Sequence, residues 1–309
     1  MITMKVDVII PTFKPDEKFR RLLFMLSKQS ISFSQIIIMN TEEAWWNPGF
    51  CEGIDRIQVY HVPQKDFDHG GTRNLAAHRS DADIMVFMTQ DAVPADEYLL
   101  ERLVEPFADE QVAAAYARQL PDEHCGEIEK FTRQFNYPEE DRKKTLADLD
   151  ELGIKTFFCS NVCAAYRRST YFQLGGFVKK TIFNEDMIYA GTLIREGYAV
   201  SYASKALVIH AHNYGCLTQF KRNFDLAVSQ QQHPEVFSGV RSESEGIRLV
   251  KQTAGHLRRI HKPWLIVKLI VQSGFKFMGY RFGRNYEKLP KGVVKLFTMN
   301  KEMCIRDRA

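Results

Sequence analysis

Asp91 stands just past the apolar run Ile84-Met85-Val86-Phe87-Met88, inside the stretch Phe87-Met88-Thr89-Gln90-Asp91-Ala92-Val93-Pro94. Five consecutive apolar residues bounded by polar and turn residues read as a strand buried on both faces. A carboxylate at the carboxyl end of such a strand sits where open α/β sheets hold their ligands. It is a hard oxygen donor for a divalent cation, and a nucleoside diphosphate needs a cation to neutralise it. The competing use of the same residue is to cap a following helix.

Other stretches could work with it. Phe67-Asp68-His69-Gly70-Gly71-Thr72-Arg73-Asn74 has two glycines, through which backbone approaches a ligand closely. A helix N-terminus follows, with free N–H groups suited to phosphate, and Arg73 and Asn74 add a cation and an amide. The same Gly-Gly-Thr also serves as an ordinary helix start. Phe183-Asn184-Glu185-Asp186 opens another helix, where adjacent acids act as dipole partners or as a general base. Val208-Ile209-His210-Ala211-His212 ends a strand-like run with two histidines on one side, the pattern of a metal or phosphate site. In Pro11-Thr12-Phe13-Lys14-Pro15 a proline fixes the chain after the first strand-like run, and Thr12 can offer a hydroxyl at the sheet edge. Plain turn chemistry accounts for that segment equally well. The dinucleotide fingerprint Gly-x-Gly-x-x-Gly is absent after the first strand, as is a Walker-type phosphate loop.

The elements that must position these residues alternate. Residues 6–10, 35–39, Ile57–Val62, Ile84–Met88 and 112–117 read as strands, and 16–29, 71–79 and 96–107 as helices. Strands separated by helices mean βαβ units and a mainly parallel sheet covered on both faces. Residues 121–153 turn charged and helix-forming and read as a helical insertion or flap. A buried strand is expected over 156–166, a helix over 185–196, and short strands over 198–202 and 206–209. After Cys216 the pattern is helical. The expected division is a catalytic domain over 1–230 and a basic, amphipathic helical region over 231–309.

A chain of 309 residues, 45% hydrophobic and 26% charged, can bury a full core and has the composition of an ordinary soluble protein. Met1 to Lys5 leads directly into the first strand, so no secretory leader is expected. No run offers the roughly 18 uncharged apolar residues of a membrane span. The cysteines at 51, 125, 159, 163, 216 and 304 show no metal-type pairing. Cys159 and Cys163 read as packed thiols in a reducing, cytoplasmic setting. The net charge of +4 hides an asymmetry: residues 251–309 carry 14 Lys/Arg against three acids, or +11, which leaves −7 on 1–250. Within that basic tail, residues 263–282 interleave Trp264, Ile266, Ile270, Phe275 and Phe277 with Lys268, Lys276 and Arg281. Such a helix either lies in a membrane interface or packs on the catalytic domain. Residues 303–309 match no element.

The order of strand-Pro-Thr, Gly-Gly-Thr-Arg-Asn, Thr-Gln-Asp-Ala, Asn-Glu-Asp and His-x-His-Asn-Tyr resembles the family 2 inverting glycosyltransferases with the GT-A fold, in particular their bacterial rhamnosyltransferase branch. The resemblance covers roughly residues 5–230. It implies an α/β nucleotide-sugar-transferase fold and a divalent metal, Mg²⁺ or Mn²⁺. Asp91 matches the metal-binding acid of the family's Asp-x-Asp element, with Thr89 and Gln90 where further acids are usual. His212 would supplement it, with His210 as the second choice. Asp186 matches the base that deprotonates the acceptor, and Glu185 lies beside it. Pro11, Thr12, Asn40, Gly71, Arg73, Asn74 and Gln90 would line the nucleotide sugar with Asp91. Asn40 opens Asn40-Thr41-Glu42-Glu43, a departure from the usual base-contacting turn.

The resemblance further implies dTDP-L-rhamnose as donor, with a UDP-hexose as the rival. The implied acceptor is a growing cell-surface polysaccharide on a lipid carrier. The enzyme would then be cytoplasmic, with the inner face of an anionic membrane as a peripheral contact, and no nucleic-acid partner is expected. Transfer from a nucleotide sugar needs charge neutralisation at the leaving diphosphate and a base on the opposite face, which gives inversion. Paired carboxylates also occur in glycoside hydrolases, but a phosphate-type loop and metal candidates argue against hydrolysis. The rival from another class is a non-catalytic GT-A-like module that binds a glycan or partner.

Overall fold

The computed structural model describes residues 4–240 and 243–301. Its strands are β1 (Val6–Phe13), β2 (Gln35–Thr41), β3 (Ile57–Val62), β4 (Ile84–Met88), β5 (Val93–Pro94), β6 (Val112–Leu120), β7 (Arg142–Lys144), β8 (Cys163–Arg167) and β9 (Ala199–Ile209). Its α-helices are α1 (Glu17–Leu26), α2 (His69–Ala77), α3 (Leu99–Val104), α4 (Glu127–Asn136), α5 (Leu149–Leu152), α6 (Arg168–Gln173), α7 (Glu185–Arg195), α8 (Cys216–Gln232), α9 (Pro234–Phe237), α10 (Glu243–Arg259), α11 (Leu265–Arg284) and α12 (Lys291–Phe297). They group into two compact units. One comprises 1–122, 137–179 and 185–210; the other comprises 123–136, 180–184 and 211–309.

The first unit is built on a sheet of order β3-β2-β1-β4-β8-β6-β9-β5, with β7 also pairing β9. The long registers are parallel: β1 with β2 and β4, β2 with β3, and β6 with β9. Antiparallel pairings bring in β8, β5 and β7. The apolar runs behave as strands covered on both faces, and all five residues of β4 are buried. Leu22, Leu23 and Leu26 of α1 and Leu99, Leu100 and Leu103 of α3 complete the core over Val8, Ile10, Ile36 and Val86. Each buried side chain of this size contributes about 1.5–3 kcal/mol. Asp16 caps α1 by accepting from Lys18 N–H at 3.0 Å.

Several boundaries differ from the sequence expectation, each for a local reason. β1 runs on through Pro11 to Phe13, whereas its pairing with β4 ends at Ile9. Beyond Ile9 the strand has a partner only on the β2 side, so the missing proline N–H removes no bond towards β4. The expected strands at 198–202 and 206–209 form the single strand β9. The register jumps from Ala117↔Ala203 to Arg118↔Leu207, so the polar Ser204-Lys205 interruption is a bulge and not a strand end. The charged region 121–153, expected to be helical, contains β7, which pairs Arg142, Lys143 and Lys144 with Tyr202, Ser201 and Val200 of β9. The expected strand over 156–166 begins only at Cys163, because Ser160 and Asn161 make a polar turn before it. Cys159 and Cys163 are buried free thiols, and burial pushes Cys159 up to about 12.

In the second unit α8 and α11 pack closely. A Cβ added to Gly279 would lie 2.2 Å from Phe220 O, and one on Gly283 would lie 2.4 Å from Phe224 O. Glycine at these two positions is therefore what lets the backbones meet. Phe224, Val228, Tyr286 and Val294 form the core there with Ile182. Residues 303–309 and Cys304 lie outside the described residues.

Candidate active site

Asp91 caps no helix. It lies in the turn between β4 and β5, whose Ala92 N–H donates to Thr89 O at 3.1 Å. Its Oδ2 is 3.5 Å from Nε2 of His210. Ligand atoms of Asp91, His210 and His212 all lie within 4.8 Å of one another. His210, the second choice from sequence, is the more tightly built of the two histidines. It is buried, and its Nδ1 lies 3.0 Å from Gln119 Oε1. The Gln119 amide nitrogen donates to Ser160 Oγ at 3.1 Å, which leaves Oε1 as the acceptor. Gln119 therefore engages Nδ1, and Nε2 is the ring nitrogen turned towards Asp91. One carboxylate and two imidazoles form a mixed oxygen and nitrogen donor set. That set fits a divalent cation that accepts nitrogen as well as oxygen ligands.

The second cluster joins α7 to α2. Asp186 Oδ2 accepts the Asn161 N–H at 2.8 Å and its Oδ1 accepts the Met187 N–H at 2.8 Å. Glu185 is buried and pairs with Arg73 NH1 at 3.1 Å, while Asn161 Nδ2 reaches Glu185 Oε1 at 3.3 Å. The two neighbouring acids therefore diverge. Burial works against charge on Glu185, but the Arg73 guanidinium, with His69 nearby, holds its carboxyl below the usual range. Burial and the adjacent Glu185 charge push Asp186 up to about 7. The two environments separate the carboxyls: Glu185 stays ionised against Arg73, and Asp186 can take up a proton near neutral pH. Asn184, just before them, adopts a left-handed φ of 64° that few side chains other than asparagine tolerate.

The remaining sequence-derived residues are present but largely engaged by the protein. Thr12 is buried and donates to Asn40 Oδ1 at 3.1 Å, while Asn40 Nδ2 donates to Glu42 O at 2.9 Å. Pro11 pairs with Met39 in the sheet. Gln90 ties the ends of β1 and β4 together, accepting Phe13 N–H at 2.8 Å and donating to Phe13 O at 3.0 Å. α2 starts at His69, two residues earlier than expected, so both glycines lie inside its first turn. The Gly71 N–H is taken by the capping Asp68 carboxylate at 2.6 Å. Gly70 serves packing, since a Cβ there would fall 2.0 Å from Val178 O. Asn74 is a buried staple: Nδ2 donates to Phe177 O at 2.8 Å, and Oδ1 accepts the Phe177 N–H at 3.0 Å and the Tyr171 hydroxyl. Of the residues expected to touch donor phosphates, Arg73 alone has a buried polar atom, Nε, without a partner.

Sequence reasoning missed Gln119, Ser160 and Asn161. The polar pair Ser160-Asn161 breaking an otherwise apolar stretch was the available signal. It also missed Phe13 and Trp45, exposed by 41% and 50% at the carboxyl ends of β1 and β2. Lys14 Nζ stands 4.2 Å from the Trp45 ring centroid and 5.3 Å from that of Phe13.

A mainly parallel α/β sheet flanked by helices, with a carboxylate–histidine cluster past one strand, has the architecture of the GT-A glycosyltransferases. The fold matches that of the mannosyltransferase PcManGT from Pyrobaculum calidifontis, solved with GDP-Man and Mn²⁺, at a TM-score of 0.60 and 14% identity over 100% of this chain and 89% of that one. The chain belongs to glycosyl transferase family 2, whose description, "Glycosyl transferase family 2", matches residues 7–174. It is 36% identical over 302 residues to the O-antigen chain rhamnosyltransferase RfbN of Salmonella typhimurium, covering 96% of this chain and 95% of that protein. It is 34% identical over 299 residues to the O-antigen chain rhamnosyltransferase WbaN of Salmonella anatum, covering 95% and 94%. The protein is accordingly a glycosyltransferase.

Proposed function

We propose that this enzyme transfers L-rhamnose from dTDP-L-rhamnose, with inversion, to a hydroxyl of a growing lipid-linked cell-surface polysaccharide. The observation that carries the reading is the likeness, over nearly the whole chain, to two O-antigen rhamnosyltransferases. Asp186 is the general base. With a pKa near 7 it takes the acceptor hydroxyl proton as the acceptor oxygen bonds to the anomeric carbon and the bond from that carbon to the diphosphate oxygen breaks. Glu185 holds Arg73 in place and keeps a negative charge beside Asp186, which sustains its basicity. Asp91, His210 and His212 are the residues that would hold a divalent cation, which when bound neutralises the departing diphosphate. Gln119 orients His210. Phe13, Lys14 and Trp45 offer an aromatic and cationic surface for the nucleotide end of the donor. The reaction belongs on the cytoplasmic side of an anionic membrane, where a lipid-linked acceptor is presented.

The test is a donor screen on the purified enzyme with a lipid-linked glycan acceptor and Mn²⁺, reading release of nucleoside diphosphate and the anomeric configuration of the product. dTDP-L-rhamnose should be the turned-over donor, and the stereochemistry should invert. Turnover of a UDP-hexose in its place would replace the sugar in this reading. Absence of turnover with every nucleotide sugar would replace the class.

A further inference from the structure

We propose that the outward face of α11 is a docking surface for an anionic lipid bilayer, an inference that rests on the lipid-linked acceptor proposed above. α11 is 20 residues long, about 30 Å. One side is fixed against α8 through Gly279 and Gly283, and Leu269 is buried. The other side is apolar too, yet Trp264, Val267, Ile270 and Phe277 are exposed by 66%, 69%, 61% and 63%. At about 100° per residue, Trp264, Val267, Val271 and Met278 share one stripe, with Ile270 and Phe277 alongside. Exposed Lys268 and Arg284 fall at opposite margins of that stripe, and Arg281 at its carboxyl end. A contiguous exposed apolar face of this kind marks an interaction site.

The charge pattern selects the occupant. Leu265–Arg284 contains no acidic residue, and the segment 251–309 carries +11. A second copy of the chain would bring an equal positive charge against the first, and like charges brought face to face oppose association. Anionic headgroups supply the opposite charge over an apolar layer. A tryptophan with flanking Lys and Arg suits the headgroup boundary. No helix among the described residues is long and apolar enough to cross a membrane, so the contact is lateral: α11 lies in the interface plane.

The experiment is flotation of the full-length enzyme with phosphatidylglycerol/phosphatidylethanolamine vesicles and with pure phosphatidylcholine vesicles. The variants are a triple change, Val267→Ser with Ile270→Ser and Phe277→Ser, and a charge reversal, Lys268→Glu with Arg284→Glu. All five positions are exposed, and an unchanged thermal unfolding midpoint verifies that the variants fold. The parent should float with the anionic vesicles only, and each variant should lose binding about tenfold or more. Binding that survives the triple variant, or equal binding to phosphatidylcholine, overturns the proposal. A parent dimer in light scattering that the triple variant disperses overturns it in favour of self-association. Transfer to a short, soluble, lipid-free acceptor separates the two readings. Variants that no longer float should still transfer sugar, whereas a parent that floats but never transfers rhamnose defeats the assigned reaction and leaves the docking face standing.

Discussion

Asp186→Asn tests burial, charge and catalysis with one change. The folded carboxyl keeps its proton up to about 7 against an ordinary value of 3.8. Between those values the folded state binds the proton more tightly than the unfolded chain. The penalty is absent below the lower value, grows as pH rises through the window, and is complete above pH 7. At about 1.4 kcal/mol per unit the whole shift has a ceiling of roughly 4 kcal/mol, of which about 2.5 kcal/mol accrues between pH 5 and pH 8. Glu185, held below its ordinary range, is ionised throughout that interval and adds no slope. The amide variant has no charge to desolvate. It gives up one acceptor towards Asn161 or Met187, about 1 kcal/mol at every pH. Relative to the parent, the variant should therefore gain on the order of 2 kcal/mol between pH 5 and pH 8, a shift in Tm on the order of 4 °C. Thermal unfolding at the two pH values measures it. The same variant should lose at least about a hundredfold in kcat, and the parent's kcat/KM should rise along an acid limb centred near pH 7. A stability difference that is identical at pH 5 and pH 8 refutes the buried-carboxyl argument, and unimpaired turnover refutes the base.

Gln119→Leu removes the side chain that engages His210 Nδ1. Mn²⁺ affinity, read as metal-dependent thermal stabilisation, should weaken about 10- to 100-fold, and an unchanged affinity would remove Gln119 from the site. After chelation, Mn²⁺ should restore transfer at lower concentration than Mg²⁺, because two of the three protein donors are imidazoles; preference for Mg²⁺ would contradict that ligand set. Trp45→Ala should raise the donor KM about tenfold with kcat nearly unchanged, as loss of a stacking surface does; an unaltered KM would show that the ring is idle. Gly70→Ala drives a methyl into Val178 O and should cost about 3 kcal/mol or more by denaturant unfolding; a neutral effect would mean that α2 can shift away.

How much of this was legible follows from the range of each interaction. The continuous apolar run Ile84–Met88 announces a strand buried on both faces, and the β-branched and aromatic Ile57–Val62 announces a half-exposed edge strand, so β3 and β4 were readable to the residue. Within 121–153 the helix α4 follows the charged, helix-forming composition, whereas β7 was not legible because nothing local distinguishes Arg142-Lys143-Lys144 from a charged helix. Its strand character comes from the free edge of β9, and Lys144 is held there by the carbonyls of Lys155 and Phe158. Site residues show the same division. Asp91, Glu185 and Asp186 were candidates by type and position. Gln119 did not, because a glutamine becomes a positioning residue only when folding sets it 3.0 Å from a histidine 91 residues away. The glycines of Gly70-Gly71 were visible, but their purpose was inverted. A motif dense in ligand-capable groups reads as a cradle, yet Asp68 occupies the Gly71 N–H and Val178 occupies the space beside Gly70.

The difference between Glu185 and Asp186 lies deeper still. Two adjacent acids at a helix start are indistinguishable in sequence, and what separates them is that one pairs with Arg73 while the other accepts two backbone N–H groups and makes no ion pair among the described residues. A cation beside Asp186 would hold it ionised well below neutrality and make it a weaker base. Assigning Arg73 to Glu185 therefore keeps the charge of the pair bounded while leaving Asp186 basic. On this argument Arg73 acts on catalysis through Glu185, whether or not it also touches the donor.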